Sequence, residues 1–214
     1  MEGKALAPSL IERADILPMA EYARVRDERR RDIARMKKQR RVHVGPDITF
    51  YFENRATMLH QVHEMLAVEK GGEEQIEDEL RAYNPLIPRG RELVATMMIE
   101  IDDAGRRDRI LRRLGGIEKT ATIQVGSETI VAVPETDIER TTPDGKTSSV
   151  HFVRFPFTDA EVAAFRDGTA RPLAVLHCAG LDRLQIGADA RPAHRDRADD
   201  WPNDGTEATE HGHH

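Results

Sequence analysis

The run ELVATMMIEID, residues 92–102, is the strongest constraint on how this chain can fold. Leu93, Ala95, Met97, Ile99 and Ile101 alternate onto one strand face, and Val94, Thr96 and Met98 onto the other. A strand that is apolar on both faces belongs in the middle of a sheet covered on both sides. The rest of the chain has to supply neighbouring strands and two covering layers.

The first layer is written in residues 17–90. A helix is expected over residues 17–39, with Met19, Tyr22, Ile33 and Met36 on one side and Arg26 and Arg29 interrupting that stripe. Two short strands follow, RVHV at 41–44 and TFYFE at 49–53. Phe50 and Phe52 lie on one face of the second, and Thr49, Tyr51 and Glu53 on the other. Asn54 can cap the next helix. There Met58, Leu59, Val62, Met65 and Leu66 recur at helical spacing until Lys70-Gly71-Gly72. A further helix covers residues 73–83, with Ile76, Leu80 and Tyr83 facing in, and Asn84-Pro85 stops it.

Beyond the central strand, Asp102 or Asp103 caps a short helix that ends at Gly115-Gly116. Two hairpins follow. ATIQV and ETIVAV flank Gly126-Ser127, where glycine suits a type II′ turn. Pro143-Asp144-Gly145 forms the tip of the second hairpin, with SSVHFVRFPF as its return strand. Thr158-Asp159-Ala160-Glu161 reads as a capping box, and residues 172–178 as a last apolar strand. The expected class is α+β: N-terminal helices packed on one mostly antiparallel sheet, in a single domain over residues 1–188 with a disordered polar tail over 189–214.

Charge and cysteine usage narrow the setting. The net charge of −6 argues against a general polyanion binder, and the single Cys178 precludes an internal disulfide and fits a reducing compartment. No apolar run reaches membrane-spanning length, and no signal peptide is visible at the N-terminus. The expectation is a cytoplasmic protein without a membrane partner.

Four phrases, RRVHVGPDITFYFEN, QVHEML, EEQIEDELRAYNPLIP and ELVATMMIEID, resemble the bacterial domain-of-unknown-function family 3501, over about residues 10–180. The resemblance implies a role beside rubrerythrin-like or iron–sulfur redox proteins, near non-haem iron or peroxide chemistry. It extends to Glu53, Gln61, Glu64 and Met65 but not to His60 and His63, which argues against a histidine-centred site.

Three readings of function follow. The first is an accessory or interaction protein of such a redox system. The second is a metal-dependent or carboxylate-based enzyme on the face of residues 55–70. Its metal ligands would be His60, His63, Glu64 and Glu53, for iron or zinc, and its candidate catalytic carboxylates Glu53, Glu64 and Glu69. The spacing is HxxHE, not HExxH. A solvated helix face is the competing explanation of the pair. Glu69 falls within the apolar stripe, so it needs a partner. Residues 24–41 carry ten Lys/Arg against three Asp/Glu, and residues 64–79 carry seven acids against one lysine. The structural expectation is therefore an ion-pair network joining Arg26 and Arg29 to Glu69. The third reading is anion or nucleic-acid binding through Arg35, Lys37, Lys38, Arg40 and Arg41, for which no aromatic interleaving is present.

Overall fold

A computed structural model describes residues 10–135, 139–166 and 173–176. Cys178, His177 and the whole of the 189–214 segment lie outside the described residues. The chain runs α1 (Met19–Gln39), β1 (Arg41–Val44), β2 (Ile48–Phe52), α2 (Arg55–Glu69), α3 (Gly72–Tyr83), β3 (Glu92–Ile99) and α4 (Ala104–Leu111). It continues through β4 (Ala121–Val125), β5 (Glu128–Val131), β6 (Val133–Pro134), β7 (Val150–Pro156), α5 (Asp159–Arg166) and β8 (Leu173–Leu176).

The doubly apolar strand, β3, is central. The main sheet has the order β1-β2-β3-β7-β6, with antiparallel pairing throughout. Phe50 stands opposite Met97, and Ala95 opposite Val153. The two faces of β3 divide the core as its alternation requires. Leu93, Ala95, Met97 and Ile99 join Phe50, Phe52, Val153 and Phe155 on one side, and Val94 joins Met58, Val62, Leu66, Ile76 and Leu80 of α2 and α3 on the other. The α+β class holds, with helices on a mostly antiparallel sheet. The hairpin strands do not all join that sheet. β5, β4 and β8 form a second, three-stranded sheet, whose Ile123, Val125 and Ile130 supply the cover for the first face. An apolar face of this width cannot remain in water, and sheet-on-sheet packing covers it as helices cover the other.

Local signals explain the boundaries. Asn54 Oδ1 accepts from the Thr57 N–H at 2.9 Å, and the Asn54 N–H donates to Thr57 Oγ1 at 3.0 Å, so the α2 cap works in both directions. Thr158 and Glu161 close the capping box of α5 in the same reciprocal way. Gly126 adopts φ +62, as the two-residue turn between β4 and β5 demands. Among the described residues no helix is long and apolar enough to cross a membrane.

Candidate functional site

The polar candidates of the helical layer gather where α1 crosses α2. α1 has one buried side chain, Tyr22. Its ring stacks on His63 of α2, with centroids 4.6 Å apart and planes 19° from parallel. The Tyr22 hydroxyl donates to Glu64 Oε1 at 2.8 Å. Arg26, one turn further along α1, grips the same carboxylate with Nε on Oε1 and Nη2 on Oε2, each at 2.9 Å. Helical spacing puts Tyr22 and Arg26 on one face of α1, and His60, His63 and Glu64 on the facing surface of α2.

This arrangement sets the electrostatics. Hydrogen bonding from Arg26, helped by Tyr22, holds the Glu64 carboxyl down at about 2. Burial, together with the neighbouring carboxylate, pushes the Tyr22 hydroxyl well above the usual phenol range. Burial pushes both His60 and His63 below the ordinary imidazole value. His63 is fixed further by its partners. The Leu17 N–H donates to Nε2 at 3.0 Å, so that nitrogen carries no proton. Nδ1 faces the Leu59 carbonyl at 2.8 Å, so it carries the proton and donates. Both nitrogens of His63 are thereby engaged with the backbone, and the one ligating lone pair, on Nε2, is taken by the Leu17 N–H.

The sign of the pH dependence follows. The unfolded chain protonates its histidines near 6.5, whereas the fold keeps His63, His60 and His151 neutral to lower pH. The unfolded state binds more protons in that window, so stability is complete above about pH 6.5 and falls as pH drops below it. Glu64 adds a second loss between 4.5 and about 2. We expect the free energy of urea unfolding to be lower at pH 5.5 than at pH 7.5, with His63 among the contributors. A flat profile between those values would contradict the depressed protonation of these histidines.

Glu53 lies apart from this cluster. It follows β2, is 3% exposed, and accepts from Thr57 Oγ1 and Thr96 Oγ1, both at 2.6 Å. Its carbonyl and that of Phe52 receive the guanidinium of Arg40, itself 4% exposed. Glu53 is thus bound into the junction of β2, α2 and β3 and does not join His60, His63 and Glu64.

Three expectations about side chains change. Arg26 pairs with Glu64, not with Glu69. Glu69 is the last residue of α2, where the stripe runs out into solvent; it is exposed and accepts from Gln75 Nε2 at 2.8 Å. Arg29 is also exposed, so the expected Arg29–Glu69 link is replaced by Arg26–Glu64 and by a two-pronged Arg13–Glu73 contact. Arg40 is turned inward onto backbone carbonyls, and Arg35 pairs with Asp32 at 2.5 Å, which leaves Lys37, Lys38 and Arg41 of the proposed anion patch. Among the described residues no three His, Cys, Asp or Glu side chains are placed to hold a metal ion.

Two features have no counterpart in the sequence reading. Glu100 accepts from Thr49 Oγ1 at 2.6 Å and Tyr51 at 2.9 Å, and His43 Nδ1 lies 2.9 Å from the same Thr49 hydroxyl. Thr49 is 2% exposed and its hydroxyl is fully engaged, so this cluster staples the β1–β2 hairpin to the end of β3. The strand alternation placed Thr49 and Tyr51 together but gave no sign of Glu100. The second is a cleft of about 610 Å³ beside the Tyr22 cluster, between α1, the end of α2 and the start of α3. Leu17, Met19, Ala23, Leu66, Ala67 and Ile76 form its apolar lining, and Arg13, Arg26, Lys70 and Glu73 its charged groups. That size and lining match a small-molecule pocket.

A family model described as a protein of unknown function, DUF3501, matches residues 10–193. A crystal structure of a novel protein of unknown function from Burkholderia pseudomallei K96243 is similar at 33% identity and a TM-score of 0.79, over 90% of this chain and 100% of that one. Comparison with curated proteins finds no match.

Proposed function

The chain belongs to the DUF3501 family of proteins of unknown function, and from that premise we propose that it is an accessory or interaction protein and not a catalyst acting through the α1–α2 groups. One observation carries this reading: Glu64, His63 and Glu53 are each engaged with neighbouring side chains or with backbone, and His60 Nδ1 lies 3.4 Å from the Tyr22 hydroxyl. Glu64 has three donors, His63 has both ring nitrogens occupied, and Glu53 has two hydroxyl donors. A general acid or base needs a free proton site within reach of a substrate. In their place the helical layer offers an open apolar cleft.

The family resemblance supplies the setting, a non-haem iron or iron–sulfur redox system with rubrerythrin-like or iron–sulfur partners. The test is affinity capture of the full chain from its native host, with iron content and absorbance measured on the eluate and the companion identified by mass spectrometry. An iron-containing oxidoreductase recovered in near-equal amount is the expected result. Recovery of the chain alone contradicts the reading.

A second reading, polyanion contact through the outer face of α1 and the start of β1, is favoured by the exposure of Arg30, Arg31, Lys38 and Arg41. It predicts an affinity for nucleic acid that falls steeply with salt, and binding without that slope overturns it.

A further inference from the structure

The cleft between α1, α2 and α3 holds one cation with no ion pair among the described residues. Arg13 and Glu73 satisfy each other through two nitrogens and two oxygens. Arg26 is held by Glu64. The third cation of the lining, Lys70, makes no ion pair among the described residues and is exposed. The local balance is one net positive charge beside an apolar floor.

The backbone at Lys70 is unusual. It adopts φ +57 and ψ 32, the left-handed region, and is the one non-glycine residue with positive φ among those described. Glycine occupies that region without steric cost, and lysine does not. Glycines stand at both following positions, 71 and 72, yet the strained position carries the lysine. The position is the C-cap of α2, its N–H donating to the Leu66 carbonyl, where glycine is the usual residue. Lys70 closes α2, Gly72 opens α3, and both line the cleft.

We propose that this cleft is a binding site for a small amphipathic carboxylate, a molecule with an apolar body and one anionic end. The body lies against Leu17, Met19, Ala23, Leu66, Ala67 and Ile76, and the carboxylate meets the ammonium of Lys70. A single uncompensated cation suits one negative charge and not a phosphate dianion. The apolar lining supplies affinity through burial, and the charge sets orientation. The site stands independently of any redox partner, so failure of the capture experiment leaves it intact.

Decanoate is the probe, read by thermal unfolding and calorimetry on the full chain. Acetate tests the anion without a body, and decyltrimethylammonium tests the body with the opposite charge. Decanoate raises the melting temperature in a dose-dependent way, and the other two do not. Lys70→Gln weakens decanoate about tenfold, the loss expected of one charge-assisted contact. Lys70→Gly weakens it similarly while raising the melting temperature of the unliganded protein, because the backbone strain is relieved. Decanoate that does not bind, equal binding of the cationic probe, or Lys70→Gln binding unchanged from the native chain each overturns the proposal.

Discussion

Replacing Tyr22 with alanine should lower the stability of the protein by about 3–4 kcal/mol, the loss typical of a large aromatic removed from a packed interior. Tyr22 is 2% exposed and is the one buried residue of a 21-residue helix. Its stacking on His63 and its hydrogen bond to Glu64 are the central contacts between α1 and α2. For a domain of this size the change corresponds to a fall of roughly 10 °C in melting temperature. Tyr22→Phe separates packing from hydrogen bonding. The ring and its stack remain, Glu64 keeps Arg26, and the expected cost is about 1 kcal/mol. Urea unfolding of the two variants checks the ratio. If Tyr22→Ala costs less than Tyr22→Phe is expected to cost, α1 is held by something other than this residue.

The second large effect is expected at Glu53. Its carboxylate is buried, and each oxygen takes a hydroxyl proton at 2.6 Å, one from α2 and one from β3. Glu53→Ala removes two charge-assisted hydrogen bonds and leaves the Thr57 hydroxyl, on a fully buried side chain, without this acceptor. The expected loss is about 3–4 kcal/mol. Glu53→Gln keeps the shape and one accepting oxygen, and should lose about half as much. A catalytic carboxylate behaves in the opposite way, because substitution of a strained or desolvated active-site group commonly stabilises a protein. Stability measured on both variants therefore separates a structural Glu53 from a catalytic one.

How legible these features were depends on whether the signal was local. Strand β3 was readable because its alternation is apolar on both faces, and no arrangement other than a covered central strand accommodates that. The α2 cap and the α5 capping box were readable because each is closed by residues three apart. The partition of strands between two sheets was not. Short antiparallel strands with similar alternation carry no mark of which sheet they join, and β4 and β8 are paired across more than forty residues. Ion-pair partners were half readable. The excess of cations on α1 and of anions on α2 and α3 pointed to charge complementarity between the layers. Which carboxylate Arg26 meets depends on the crossing of the two helices, and that crossing sets Glu64, not Glu69, against α1. Counting turns placed Glu69 on the apolar stripe and Lys70-Gly71-Gly72 at the helix end, but could not show that the stripe already faces solvent at Glu69. His63 was read with His60 as a ligand pair or a solvated face, yet it is buried, and its backbone partners, Leu17 and Leu59, were invisible because main-chain groups leave no trace in residue identity.

The central claim is that His63 and Glu64, between α1 and α2, are held by backbone and by Tyr22 and Arg26 as part of the fold. Long-range nitrogen–proton NMR correlation on the His63 ring tests it most directly. The account predicts a neutral ring with the proton on Nδ1 at pH 7, unchanged well below pH 6.5, since Nε2 accepts from Leu17 and burial depresses its protonation. A proton on Nε2, or a ring that titrates near 6.5 as a free histidine does, would contradict it.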